Sequence, residues 1–195
     1  MKVEFWFEFA STYSYPAAMR IESLAASRGV QVTWRPFLLG PIFNQQGWND
    51  SPFNIYPAKG KYMWRDMERI CEGLGLPLRR PTMFPRNGLL AARVVGAHAE
   101  EAWVPGFVRA IYRANFVNDA DISSVTVVER CLTELGLDAT ALLEVAQTQT
   151  AKDTLKSQTA HAMELGIFGA PSFVVGRELF WGNDRLEDAI EWALR

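Results

Sequence analysis

Val3-Glu4-Phe5-Trp6-Phe7-Glu8-Phe9-Ala10-Ser11-Thr12-Tyr13-Ser14-Tyr15-Pro16 is the stretch on which the fold turns. Val3, Phe5, Phe7 and Phe9 alternate with Glu4, Trp6 and Glu8, and a period of two belongs to a strand. The apolar spacing then lengthens. Ser14 to Arg28 reads as a helix, with Pro16 tolerated because it lies in the first turn. Gly29 follows where a left-handed residue ends a helix. Val30, Val32 and Trp34 alternate again, in a second strand ending near Pro36. Two strands joined by a helical crossover predict a parallel pair.

Further along, Pro41 to Gly60 is rich in Pro, Asn, Gln and Gly and reads as a long loop. Met63, Met67, Ile70, Cys71 and Leu74 then share one helical face, closed by Gly75 and Pro77. More helices are expected near 88–101, 104–116, 123–135, 139–150 and 152–165. Ser172-Phe173-Val174-Val175-Gly176 and Leu179-Phe180-Trp181-Gly182 flank Arg177-Glu178 as an antiparallel hairpin. Leu186, Ala189, Ile190, Ala193 and Leu194 make a last amphipathic helix, with Asp184 and Glu187 as its D-x-x-E capping pattern. The order β-α-β, helices, α-β-β-α is an α/β, thioredoxin-like fold with a large all-helical insertion. Residues 1–38 plus 151–195 form the thioredoxin-like domain, and 39–150 the helical insertion domain.

Lys plus Arg number 20 against 22 Asp plus Glu, a net charge of -2, which leaves no broad basic face for nucleic acid. No apolar run nears the ~18 residues of a membrane span, so no membrane partner is expected. The acidic start of the chain does not suit a signal peptide, and the reading places the protein in the cytoplasm. Cys71, Cys131, His98 and His161 form no CxxC or HExxH motif, which argues against a metal site or a redox dithiol. Both cysteines fall on apolar helical faces, as inert buried thiols do.

In a thioredoxin-like fold the working residues sit where the first strand enters its helix. A redox version would carry Cys-x-x-Cys there, and this chain has Ser11-Thr12-Tyr13-Ser14. Serine forms no disulfide, so direct dithiol exchange is excluded. A hydroxyl at a helix N-terminus can instead donate to an anion that the free N–H groups already favour, and a thiolate suits such a place. The plainer reading is that Ser11 or Ser14 only caps the helix. Gly169-Ala170-Pro171-Ser172-Phe173 offers either a cis-proline at a strand start or an ordinary trans one. Trp181-Gly182-Asn183-Asp184-Arg185 offers either a helix cap at Asp184 or an acceptor pair for an ammonium group.

These places, together with Pro57-Ala58-Lys59-Gly60-Lys61-Tyr62-Met63 and Phe84-Pro85-Arg86-Asn87, resemble the 2-hydroxychromene-2-carboxylate isomerases. Those are glutathione-dependent enzymes of the DsbA-like superfamily, closely related to kappa-class glutathione transferases. The resemblance spans the chain with its blocks in family order. It implies that Ser11 hydrogen-bonds the glutathione sulfur and that Lys59 reaches the glycine carboxylate. It also implies that the main chain of Ala170, before cis-Pro171, pairs with the cysteinyl unit, and that Asn183 and Asp184 hold the γ-glutamyl end. Relatives often carry Asn nine positions before the lysine. Here that position is Asp50, whose carboxylate repels those of glutathione, with Asn49 and Asn54 nearby and Asn54 the candidate substitute.

The implied cofactor is glutathione, the implied substrate a small aromatic carboxylic acid, and the implied assembly a homodimer. The implied reaction interconverts 2-hydroxychromene-2-carboxylate and trans-o-hydroxybenzylidenepyruvate, by reversible addition of the glutathione thiolate. Tyr13, Trp48, Phe53, Tyr56 and Trp64 could wall the ring, and Asn87 and Arg93 could meet the acid. Two other readings use the same fold. One is a kappa-type transferase that consumes glutathione. The other is a cysteine-less module binding extended peptides beside Pro171.

Overall fold

In the computed structural model, which describes residues 1–195, the opening strand β1 (Lys2–Phe7) lies inside a four-stranded sheet of order β2-β1-β3-β4. Strand β2 (Gln31–Pro36) runs parallel to β1, from Lys2 opposite Gln31 to Phe7 opposite Pro36. Strands β3 (Ser172–Val175) and β4 (Glu178–Trp181) form the antiparallel hairpin, with β3 antiparallel to β1. The connection between β1 and β2 is helix α1 (Ser14–Ala26), and Gly29 ends the turn after it at φ +66°.

Val3, Phe5 and Phe7 are wholly buried on one sheet face, where Phe5 stacks on Phe173 with ring centres 5.5 Å apart. Trp6 sits in the register expected to face water, yet it is 1 % exposed. It packs with Phe37, Ile42, Ala162, Ile167 and Val174 in a second, smaller cluster on the opposite face. A strand with neighbours on both edges and cover on both faces buries both of its sides, which is why the alternation failed at Trp6. The strand also ends at Phe7, two residues short of the pattern, and Phe9 packs beyond it against Tyr112 at 5.4 Å.

Between β2 and β3 come eight helices: α2 (Leu39–Gln45), α3 (Pro52–Ile55), α4 (Pro57–Leu74), α5 (Leu89–Ala97), α6 (Val104–Phe116), α7 (Val125–Thr133), α8 (Ala139–Gln147) and α9 (Gln149–Glu164). Residues 41–60 are therefore not a long loop. They hold most of α2, all of α3 and the first turn of α4. Pro52 and Pro57 stand at the first helical position, where a missing N–H costs nothing, so these prolines mark helix starts rather than coil. Helix α10 (Leu186–Trp192) closes the chain after a 3-10 turn at Asn183–Arg185. Its D-x-x-E pattern does not cap it. Asp184 faces Arg185 at 3.5 Å and Glu187 pairs with Arg20 at 3.1 Å, and Arg185 at the cap position makes no side-chain capping bond. No helix is long and apolar enough to cross a membrane.

Candidate active site

Six residues, Glu8 to Tyr13, join β1 to α1, and the chain turns tightly there: the Ser11 N–H donates to the Glu8 carbonyl at 3.0 Å. Ser11 Oγ accepts the Ser14 N–H at 3.3 Å, so the serine does help to close the helix end. The same hydroxyl donates to the Ala170 carbonyl at 2.9 Å, across 159 positions of sequence. One oxygen thus meets both the first N–H of α1 and the Ala170 carbonyl, while Tyr13 holds the cap position without a side-chain bond. The main-chain N–H groups of Thr12 and Tyr13 have no acceptor in the protein, and Thr12 Oγ1 is buried without a partner. Unpaired N–H groups and the positive end of the α1 dipole together favour an anion. The partly buried Glu8 lies under this loop, its Oε2 accepting the Ala10 N–H at 3.0 Å. Burial pushes its carboxyl from an ordinary 4.5 up to about 8, against the bonds from the Ala10 and Ser11 N–H groups.

The Ala170–Pro171 peptide bond is cis. A Cβ at Gly169 would lie 2.4 Å from Trp181 Nε1, so this approach requires glycine. The Pro171 carbonyl accepts the Gly182 N–H at 2.9 Å, which ties the start of β3 to the residue before Asn183. Asn183 is 8 % exposed, and Arg20 of α1 donates to its Oδ1 at 3.1 Å and to its carbonyl at 3.4 Å. Asp184 beside it is exposed. Arg20, Arg69, Leu74, Asn183, Asp184 and Glu187 are among the residues lining a cleft of about 350 Å³. Arg20 escaped the sequence reading because its partner lies 163 positions away and α1 shows no local sign of it.

Lys59 projects from the first turn of α4, exposed, with its ammonium 4.7 Å from the centre of the Tyr56 ring. Asn54 Nδ2 donates to Asp50 Oδ2 at 3.1 Å and to the Phe84 carbonyl at 3.1 Å. Its amide hydrogens are therefore turned to the carboxylate it was expected to replace. Tyr13 links α1 to this region, donating its hydroxyl to Asp66 Oδ2 at 3.0 Å while its ring lies 6.3 Å from that of Phe53. Burial and this bond hold the Tyr13 hydroxyl well above its ordinary range. The other aromatics divide into separate contacts. Trp48 meets Tyr56 edge-on at 6.3 Å, and Trp64 is a core residue against Phe84 at 5.2 Å. Asn87, just before the cap position of α5, accepts the Leu89 N–H at 2.8 Å, and Arg93 has a buried Nε without a partner. Cys71 and Cys131 are buried, and burial pushes both thiols up to about 11, where they stay protonated and inert.

The sequence model of the DSBA-like thioredoxin domain matches residues 2–191. The chain is 30% identical over 187 residues to 2-hydroxychromene-2-carboxylate isomerase of Sphingobium xenophagum, covering 95% of this chain and 94% of the relative. The isomerase of Pseudomonas putida is 30% identical over 189 residues, covering 95% and 91%. Glutathione S-transferase kappa 1 of Homo sapiens is 25% identical over 201 residues, covering 95% and 87%. Among solved structures, a 2-hydroxychromene-2-carboxylate isomerase superposes with a TM-score of 0.86 at 27% identity, over 100% of this chain and 94% of that one. With the expected sheet topology in place and near-complete coverage of these relatives, the chain belongs to the DSBA-like thioredoxin-domain family and, within it, to the group of the 2-hydroxychromene-2-carboxylate isomerases, and it is an isomerase-type enzyme.

Proposed function

We propose that this enzyme uses glutathione to interconvert 2-hydroxychromene-2-carboxylate and trans-o-hydroxybenzylidenepyruvate. The observation that carries the reading is the Ser11 hydroxyl, held at the N-terminus of α1 and bonded to the Ala170 carbonyl, in a chain whose curated relatives bear that activity in their names. The donor set fits the cofactor. Free N–H groups at Thr12 and Tyr13 favour a sulfur anion, the exposed Lys59 ammonium suits a carboxylate, and the exposed Asp184 carboxylate suits an ammonium. Glutathione, when bound, supplies a thiolate that adds reversibly to the conjugated carbon and frees rotation about the former double bond.

The protein's part is to keep that sulfur ionised and aimed. Ser11 turns its hydroxyl proton from the Ala170 carbonyl to the sulfur, and the vacated carbonyl accepts an N–H of the ligand. Lowering a thiol from its ordinary ~8.5 by about two units takes ~2.7 kcal/mol. A charge-assisted hydrogen bond contributes about 1.5–3 kcal/mol and a helix N-terminus about 0.3–1, so Ser11 and the start of α1 suffice together. Arg20 holds Asn183 from below, so that Asp184 and the 3-10 turn keep their place at one end of the cleft while Lys59 stands on α4.

Calorimetric titration of reduced glutathione tests the cofactor, and turnover of the ring-opened aromatic pyruvate tests the chemistry. Saturable one-site binding, with isomerisation that leaves total glutathione constant, is the expected result. Absence of binding at millimolar glutathione would overturn the reading. The likeness to a kappa-class transferase favours a second reading, conjugation of an electrophile, in which glutathione is consumed as product forms.

A further inference from the structure

The Ser11 loop is held from beneath by α6, through groups that play no part in the chemistry just described. Tyr112 and Asn115 lie on one face of α6, separated by one helical turn. Tyr112 donates its hydroxyl to the Glu8 carbonyl at 2.9 Å, the same carbonyl that accepts the Ser11 N–H. Asn115 donates Nδ2 to the Phe9 carbonyl at 3.3 Å. Asn115 is 1 % exposed, and its amide could face either way. Arg86 decides: its Nη1 donates to Asn115 Oδ1 at 3.3 Å, which leaves Nδ2 for Phe9. Arg86 is itself 5 % exposed and fixed on every side. It donates to the Ala120 carbonyl at 3.1 Å, the Asp119 carbonyl at 3.2 Å, Thr82 Oγ1 at 3.2 Å and the Asp119 carboxylate. Gly88, two residues on, approaches so closely that a Cβ there would lie 2.5 Å from the Cβ of Phe9.

We infer that Asn115 and Tyr112 are positioning residues that set the place of Ser11, with Arg86 orienting Asn115. The carbonyls of Glu8 and Phe9 are thus pinned by the helices inserted between β2 and β3, not by the sheet. Sites of this kind work only when the contacting group is held within about 0.5 Å, and a flexible link between strand and helix cannot do that alone. The segment Phe84-Pro85-Arg86-Asn87, which has no contact role of its own in the proposed chemistry, acquires one here through Arg86. The catalytic consequence rests on the reading of Ser11 above. The positional claim does not.

Asn115→Asp tests it, because Asp keeps the shape and the acceptor for Arg86 but sets a carboxylate oxygen against the Phe9 carbonyl. Tyr112→Phe is the second variant, removing one hydroxyl, and it decides the matter should Asn115→Asp not fold. Amide hydrogen exchange is compared at Ser11 and at Phe5, the latter reporting global opening. The expected result is exchange at Ser11 about three- to tenfold faster relative to Phe5, the loss of roughly one hydrogen bond. The thiol of bound glutathione, followed by thiolate absorbance against pH, titrates higher in the same variants. An unchanged Ser11-to-Phe5 ratio in a folded variant overturns the inference. Should the wild-type protein bind no glutathione, the functional reading falls while the exchange ratio still judges the positional one.

Discussion

Ser11 Oγ accepts one hydrogen bond from Ser14 and gives one to Ala170, so its substitution removes a minor helix contact and the only proton it can offer a ligand. Ser11→Ala is expected to bind glutathione and to raise the midpoint of its thiolate absorbance titration by about one to two pH units, the worth of a charge-assisted hydrogen bond. An unmoved midpoint would remove Ser11 from the mechanism. Glu8 gives a separate prediction. Its folded pKa of about 8 lies above the ordinary 4.5, so the native state holds this proton more tightly than the unfolded chain does. Its contribution is complete below pH 4.5 and is lost as pH rises through about 8. Glu8→Gln should therefore flatten the fall in thermal midpoint across that window and leave the variant more stable than wild type at the alkaline end. Ser11 and Pro171 could be singled out because each has a local sign, a hydroxyl at a strand-to-helix turn and a proline before a strand. That sign left cap or donor and cis or trans open, and only the family resemblance implied the choice. Arg20 and Asn115 had no such sign, because each meets its partner more than a hundred positions away.

The misread stretch from Pro41 to Gly60 shows how an element hides. Two short helices and a proline-led helix start have the composition of coil, and their stability comes from packing, of α3 on α4 and of α2, through Ile42, on the sheet. Gly60 makes that packing visible: a Cβ there would lie 2.2 Å from the Phe53 carbonyl oxygen, where α3 rests on α4. In an exposed helix interior Gly→Ala gains up to about 1 kcal/mol. At Gly60 the obstruction is backbone, which cannot swing aside, and overpacking costs of about 1–3 kcal/mol should win. Gly73, in the same helix, has nothing within 4 Å of an added Cβ. Urea unfolding should then show Gly60→Ala destabilised and Gly73→Ala unchanged or stabilised by up to about 1 kcal/mol. If both changes stabilise, α3 is free to move and does not hold Asn54 where the structure has it. The β-α-β start and the closing hairpin were read correctly because each depends on contacts close in sequence. Trp6 was misassigned because the second cover of the sheet comes from α2, α9 and the segment after it.

Across the whole molecule the proposed site draws on four separated stretches: the loop before α1, the start of α4, the Ala170–Pro171 segment and the 3-10 turn before α10. The unfolded chain does not hold these together, so a ligand that touches all four binds the native state alone and stabilises it by mass action. At a hundredfold excess over its dissociation constant the gain is about 2.7 kcal/mol, which for a chain of this size raises the thermal midpoint by roughly 5–10 °C. Glutathione should therefore lift the melting temperature in proportion to the logarithm of its concentration and, at about pH 6 where the bound thiol is mostly protonated in both, to a similar extent in wild type and Ser11→Ala. Lys59→Ala and Asp184→Ala each remove a charged contact at an end of the ligand. Each should shift the curve to about tenfold higher glutathione, equivalent to ~1.4 kcal/mol, without moving the melting point of the free protein. A common curve for all four proteins would mean that glutathione is bound elsewhere than along this path. Parallel curves displaced for Lys59→Ala and Asp184→Ala alone would mean that α4 and the turn before α10 hold one ligand between them.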